Sequence, residues 1–225
     1  MSAKLPILVE YVHVRYTTSY MINQKQIDTI SRWLGSGTIN IFGLPFAGKD
    51  EQTDRLLNVL GGTKLGGGDI LRASMTPEVR SYLDAGKLIP SELYVKMVLP
   101  YLSKPEFTGK PLLLSSVGRW YGEEDGVMQV LTDANHPLMA VIYLVVSPED
   151  AHIRLEASKG SSDRGERADD DKSVLATRFQ EFKEKTLPVI NHYRELGLVI
   201  EIDATASREA VRDVILEQLL ARALP

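Results

Sequence analysis

Two kinds of apolar run alternate along this chain. The first kind is short and nearly continuous: Ile39-Asn40-Ile41-Phe42, Leu112-Leu113-Leu114, Ala140 to Val146, and Leu198 to Ile202. Such runs predict strands buried on both faces. The second kind spaces its apolar residues three and four apart and predicts amphipathic helices. These cover Glu51 to Leu60, Ser91 to Leu102, Glu123 to Ala134, Pro148 to Ala157 and Ser207 to Ala223. Pro90 and Ser91 suit a helix's first turn. Asp169 to Leu196 reads as a long helical region bent near Pro188. Thr63-Lys64-Leu65 reads as a short strand closed by the turn Gly66 to Asp69. Ile70 to Leu83 holds one helix or two, broken near Thr76-Pro77. Apolar strands alternating with amphipathic helices predict an α/β fold, a parallel sheet with helices on both faces.

Ahead of this alternation, Leu5 to Tyr16 is rich in Val, Ile and Tyr and predicts a strand. Asn23 to Leu34 carries Ile27, Ile30 and Leu34 at helical spacing, and Gly35-Ser36-Gly37 then punctuates. Residues 1–38 thus read as a small strand–helix extension, a structural edge packed on a main domain of residues 39–225.

The bulk properties narrow the function. Hydrophobic residues make up 44% of the 225, enough for a buried core. The formal net charge of −4 argues against a general nucleic-acid surface but leaves room for a focused basic site. With no cysteine in the chain, disulfides, thiolate metal sites and cysteine nucleophiles are excluded. His13, His136, His152 and His192 lack metal-ligand spacing. No apolar run reaches membrane-spanning length and no signal-peptide pattern opens the chain, so a cytoplasmic protein without membrane partners is expected.

The strongest candidate chemistry lies directly after the run at Ile39. Gly43-Leu44-Pro45-Phe46-Ala47-Gly48-Lys49 matches G-x-x-x-x-G-K between a predicted strand and a predicted helix. A loop that wraps phosphate must aim backbone N–H groups inward, and Gly43 and Gly48 permit that path. The helix adds its positive N-terminal end and Lys49 a mobile charge. Asp50-Glu51 stand where such loops carry a hydroxyl.

Beyond the loop, the chain resembles the adenylate kinase and nucleoside-monophosphate kinase family over about residues 39–220. The segments that carry the resemblance are Gly43 to Gln52, Gly68-Asp69-Ile70-Leu71-Arg72, Ala85 to Pro90 and Leu112 to Arg119. After them come Val141 to Pro148, Arg167-Ala168-Asp169-Asp170, Arg178, Thr186-Leu187-Pro188 and Ile202-Asp203. The resemblance implies a three-layer P-loop NTPase fold with a monophosphate-binding region at about 66–95. It implies that Gly68, Asp69 and Arg72 lie in the monophosphate site, where Arg72 holds the acceptor's phosphate, that Arg119 shares that duty, and that Leu88 and Ile89 wall its base pocket. Arg167 and Arg178 match arginines that bridge donor and acceptor phosphates. Arg154 sits near an arginine that stacks on the donor's adenine. A short lid at Lys159 to Glu166 is implied, with Arg164 either a further phosphate contact or a solvated charge. Asp169 and Asp170 are implied partners of the lid arginines, and Asp171 a helix N-terminal charge. Phosphoryl transfer between phosphates needs this set of cations, because the obstacle is charge repulsion and orientation rather than proton transfer.

Several positions depart from the family. Phe46 replaces a loop glycine, which the backbone accommodates if φ stays negative and the ring points away from the phosphates. Glu51 replaces a threonine. It either faces Mg²⁺, directly or through water, or turns outward. Ser115 replaces an aspartate that orients waters around Mg²⁺, so Glu51 and Ser115 could be a compensating exchange. Glu123 falls where the family reads the acceptor's base with Gln, and an ionised carboxylate suits guanine's N–H edge better than adenine. Trp120 either stacks on a base or packs in the core.

The resulting expectation is an enzyme using ATP, Mg²⁺ and a nucleoside monophosphate, with AMP favoured over GMP, working as a monomer. Lys49, Arg119, Arg167 and Arg178 are its catalytic candidates. Gly43, Pro45, Phe46, Ala47, Gly48, Asp50 and Glu51 surround the donor. The competing readings are a nucleotide-binding relative without efficient turnover and a kinase for another phosphorylated acceptor.

Overall fold

The computed structural model describes residues 22–158 and 172–224. The sheet is built from β1 (Thr38–Gly43), β2 (Thr63–Gly66), β3 (Leu112–Ser115), β4 (Leu138–Val145) and β5 (Val199–Asp203). All pairings are parallel, in the order β2-β3-β1-β4-β5. The central strand β1 thus lies where the order reverses. The C-terminal ends of strands flanking such a point form a crevice, the usual place for a ligand in an open α/β sheet.

Alternation along the strands feeds two faces. Ile39 and Ile41 of β1, Leu113 of β3 and Ala140, Ile142 and Leu144 of β4 join one core. It is closed by α1 (Gln24–Leu34), α2 (Lys49–Leu60), α7 (Pro148–Ser158) and α10 (Arg208–Ala223). On the other face, Leu112 and Leu114 pack with α3 (Gly67–Ala73), α4 (Pro77–Asp84), α5 (Ser91–Leu102) and α6 (Glu123–Asp133). Phe42 and Val141 pack there with Phe182 and with α9 (Leu187–Glu195). The expected three layers are present. The helix of the predicted extension, α1, begins at an Asn23–Gln26 capping box and sinks Ile30 and Leu34 into the first core. The predicted strand Leu5 to Tyr16 lies outside the described residues.

One local expectation is corrected and another is met in an unexpected form. Gly66 to Asp69 is no turn: β2 runs to Gly66 and α3 starts at Gly67, with Asp69 in its first turn. A carboxylate favours a helix N-terminus, which offsets glycine's poor propensity. The long helical region is interrupted next to Pro188, as expected, by a π segment at Phe182–Thr186 between α8 (Lys172–Glu181) and α9. Pro188 lacks the N–H that would continue the ladder, and its ring crowds the preceding turn, where the interruption falls. The break at Thr76-Pro77 is as expected, with the Thr76 hydroxyl capping α4.

One polar residue sits inside the central strand. Asn40 is fully buried. Its Nδ2 donates to Val117 O at 2.8 Å, and its Oδ1 accepts from Val117 N–H at 3.3 Å. This pair pins the loop after β3, and so Arg119, to β1. Asn40→Leu would strand two buried backbone groups, and the expected loss is about 2–4 kcal/mol. Urea unfolding of the variant measures it.

Candidate functional site

A cleft open to solvent lies at the C-terminal ends of β1, β2 and β3. Three segments reach it. The loop after β1 brings Pro45, Phe46, Lys49 and Asp50. The β2–α3 junction brings Gly68, Asp69 and Arg72. The end of β3 and the loop beyond bring Ser115, Arg119 and Trp120. Leu88, Ile89 and Arg178 complete the wall.

The loop is held from both sides. A side chain at Gly43 would meet Leu144 O at 2.8 Å and the Ala47 methyl at 2.9 Å, so the close approach to β4 requires glycine. Lys49 folds back over the loop and donates to Gly43 O at 3.0 Å and Leu44 O at 2.8 Å. Gly48 caps α2 in a left-handed conformation. From below, Arg154 donates to Phe46 O and Ala47 O, at 3.4 and 3.3 Å, and to Ala204 O. Ala47 is buried beneath the loop rather than facing the cavity.

Phe46 corrects an expectation. Its φ is +65°, in the left-handed region that non-glycine residues avoid at a cost of about 1–2 kcal/mol. The ring offsets that cost by burial among the core residues of the first face. It is also not turned wholly away from the site, since Arg178 lies over it with Cζ 5.9 Å from the centroid.

The cations converge. Arg119 is half-buried, and its Nε, which is buried, has no hydrogen-bond partner. Burial, and then the charge of Arg178, push its pKa down to about 10. Arg72 forms an ion pair of 2.6 Å with Asp69. Tyr94 holds the adjacent loop by accepting Gly118 N–H at 2.9 Å, and burial raises its hydroxyl pKa.

The carboxylates are distributed otherwise than their order suggests. Glu51 turns outward, to Arg55 at 2.6 Å and Arg208 at 3.5 Å. The acid that meets Ser115 is Asp50, whose Oδ1 accepts the Ser115 hydroxyl at 2.8 Å. Any compensation across these positions thus runs between Ser115 and Asp50. Glu123 is buried, and its Oε2 accepts the backbone N–H groups of Arg119 at 2.8 Å and Trp120 at 3.0 Å. It braces the arginine loop and is not part of the cavity wall. Arg164, Arg167, Asp169 to Asp171 and the expected lid lie outside the described residues.

The model of the adenylate kinase family matches residues 41–198. The chain is 31% identical over 185 residues to an adenylate kinase of Nocardia farcinica, covering 80% of this chain and 97% of that protein. It is 31% identical over 182 residues to one of Corynebacterium urealyticum, covering 78% and 95%. An adenylate kinase of Methanococcoides burtonii is 27% identical over 201 residues, covering 76% and 93%. The chain belongs to the adenylate kinase family. It is by that membership a nucleoside-monophosphate kinase.

Against this family, the site residues that sequence reasoning missed are Asn40, Tyr94 and the pairing of Asp50 with Ser115. A polar residue inside the run Ile39 to Phe42 was the available signal for the first. Nothing in the spacing signalled the other two.

Glu123 gives a pH test. Burial, the largest cause, raises its pKa, with the amides of Trp120 and Arg119 opposing. A carboxyl with a raised folded pKa favours the folded state while protonated, and that contribution is lost as pH rises through the folded value. Glu123→Gln keeps an acceptor without the charge. Its stability relative to the native chain should therefore increase as pH rises from about 4 to 7. Urea midpoints across that range check the sign.

Proposed function

We propose that this protein transfers the γ-phosphoryl group of ATP to AMP, giving two molecules of ADP. The observation that carries the reading is the convergence of Arg119 and Arg178 on one cavity. Burying like charges together is unfavourable unless an anion sits between them. The cavity is also bordered by the N-terminal turn of α2 and by Lys49, a second anion-binding element. A site with cations on both sides suits two phosphate groups rather than one.

In this reading the loop from Gly43 to Lys49 cradles the donor's phosphates. Arg72 and Arg119 hold the acceptor's phosphate, with its base against Leu88 and Ile89. An oxygen of that phosphate attacks the γ-phosphorus, and the bond to the bridging oxygen of the departing ADP breaks. The nucleophile is already an anion, so no general base is needed. Lys49, Arg119 and Arg178, with Arg167 from beyond the described residues, balance the charge spread over the transferring group. Arg154, bound to the loop's carbonyls, supports the donor side. Glu123, engaged with backbone amides, positions Arg119. That placement removes the argument for guanine and leaves AMP as the favoured acceptor.

Mg²⁺ is the cofactor the family implies, and the donor set fits it. A hard cation accepts carboxylate and hydroxyl oxygens, and Mg²⁺ takes one or two carboxylates beside phosphate oxygens and water. Asp50 and Ser115 offer that pair at the cavity. Without a cation between them, Asp50 would repel the donor's phosphates. Bound there, Mg²⁺ would neutralise charge on the phosphate oxygens.

The test is diphosphate formation from ATP·Mg²⁺ with each nucleoside monophosphate. AMP is expected to be the best acceptor. ATP binding without turnover on any monophosphate would refute the proposal. Lys49→Met and Arg119→Met should each lower kcat about 10²–10³-fold. Asp50→Asn should raise the Mg²⁺ concentration for half-maximal rate and weaken Mn²⁺ binding in the ATP complex, read by electron paramagnetic resonance. Glu51→Gln should leave both near native.

A further inference from the structure

The acceptor side of the cavity contains a tryptophan fixed from several directions. Trp120 borders the cavity beside Leu88 and Ile89. Its indole Nε1–H donates to Ile89 O at 2.9 Å. The ammonium of Lys185 stands over the ring, 4.1 Å from its centroid. Lys185 is ion-paired with buried Glu181, whose Oε2 also accepts Leu88 N–H at 3.0 Å. The contacts form a closed circuit from Trp120 to Ile89, along the chain to Leu88, across to Glu181 and Lys185, and back to the indole.

This circuit is more than core packing needs. The indole N–H is the ring's only polar group and is already used, so what the ring offers the cavity is apolar carbon. The ring is locked by a hydrogen bond at its edge and a cation over one face, so little motion is left to freeze when a flat ligand stacks on it. Arg119 and Trp120 are consecutive. A ligand whose phosphate is held at Arg119 therefore has its base within a side chain's reach of the indole.

We propose that Trp120 is the stacking platform for the acceptor's base, and that Lys185 and Glu181 are positioning residues that hold it. The proposal rests on the monophosphate-kinase reading above and deepens it. A purine covers more of the platform than a pyrimidine, so the preferred acceptors are purine monophosphates. The platform is also tied to the phosphate chemistry. Glu181 lies three residues after Arg178 on α8, and a side chain at Gly86 would come within 2.9 Å of Arg178 Cγ. The wall from Gly86 to Ile89 and the helix bearing Arg178 are thus in direct contact, and seating the base fixes both.

Trp33 and Trp120 are the chain's two tryptophans, so Trp33→Phe leaves Trp120 as the sole indole reporter. In that variant, AMP is expected to change the emission saturably, CMP less, and ribose 5-phosphate not at all. Trp120→Leu should raise the KM for AMP about tenfold, the loss expected for a stacked base, with kcat and the KM for ATP near native. Trp120→Phe, which keeps an aromatic face, should retain most of the affinity. Lys185→Met should weaken AMP binding, and Lys185→Arg should restore it. An emission unmoved at saturating AMP, an equal response to ribose 5-phosphate, or an unchanged KM in Trp120→Leu overturns the platform. Each of these is read in protein that still turns over AMP, so the kinase reading survives them. Absence of turnover with every monophosphate removes both.

Discussion

Repulsion between like charges is the constraint on which the site depends. Arg119 and Arg178 border one cavity with Lys49, and each would be more comfortable in water. The scaffold holds them by exact use of backbone partners. Asn40 in the central strand fixes Val117, Tyr94 fixes Gly118, and Glu123 fixes the amides of Arg119 and Trp120. Four consecutive residues are therefore tied by side chains from three different elements. Buried hydrogen bonds of this kind add little net stability but are costly to break, so they specify position more than they add strength.

The same economy explains how the cations are accommodated. Lys49 satisfies itself on carbonyls of its own loop, and Arg72 on Asp69. These are local partners that phosphate oxygens can replace without unfolding anything. Arg119 differs, since its buried Nε has no such substitute. A buried donor without a partner on a half-buried cation is an energetic cost that a bound anion would relieve. Phe46 carries a second cost, a left-handed backbone, offset by burial of its ring and by its place beneath Arg178. Strain and an unsatisfied donor both concentrate at this cavity, as expected of sites whose geometry is imposed by the surrounding fold.

The layers were legible because strands buried on both faces must be nearly continuous in apolar residues, as Leu112 to Leu114 and Ala140 to Val146 are, and as Ile39 to Phe42 is apart from Asn40. The loop and its arginines were legible because phosphate chemistry restricts residue type and order. What escaped depended on direction. Gly66-Gly67-Gly68 has turn composition, yet Gly67 starts α3, because contacts made by the folded chain outweigh propensity. The interruption near Pro188 was legible from the proline, but its form, a π segment over Phe182–Thr186, was not. Phe46 gave no sign of its positive φ, which is set by the loop around it.

The pair Asp50-Glu51 illustrates the limit most plainly. Adjacent residues on an α-helix point about 100° apart. In the first turn of α2 that rotation separates two carboxylates of the same chemistry. Asp50 meets Ser115 inside the cavity, while Glu51 joins Arg55 and Arg208 outside. Position along the sequence made Glu51 the candidate for the metal, since it stands where the family has its threonine. The helix instead turns Asp50 toward the end of β3, where it accepts the Ser115 hydroxyl. A carboxylate contributed from the helix can serve where the strand carries only a hydroxyl, since a cation responds to where oxygens lie and not to which element supplies them. The departure from the family's pattern is thus compatible with retained magnesium chemistry, and the case for a nucleotide-binding relative without turnover loses its main support.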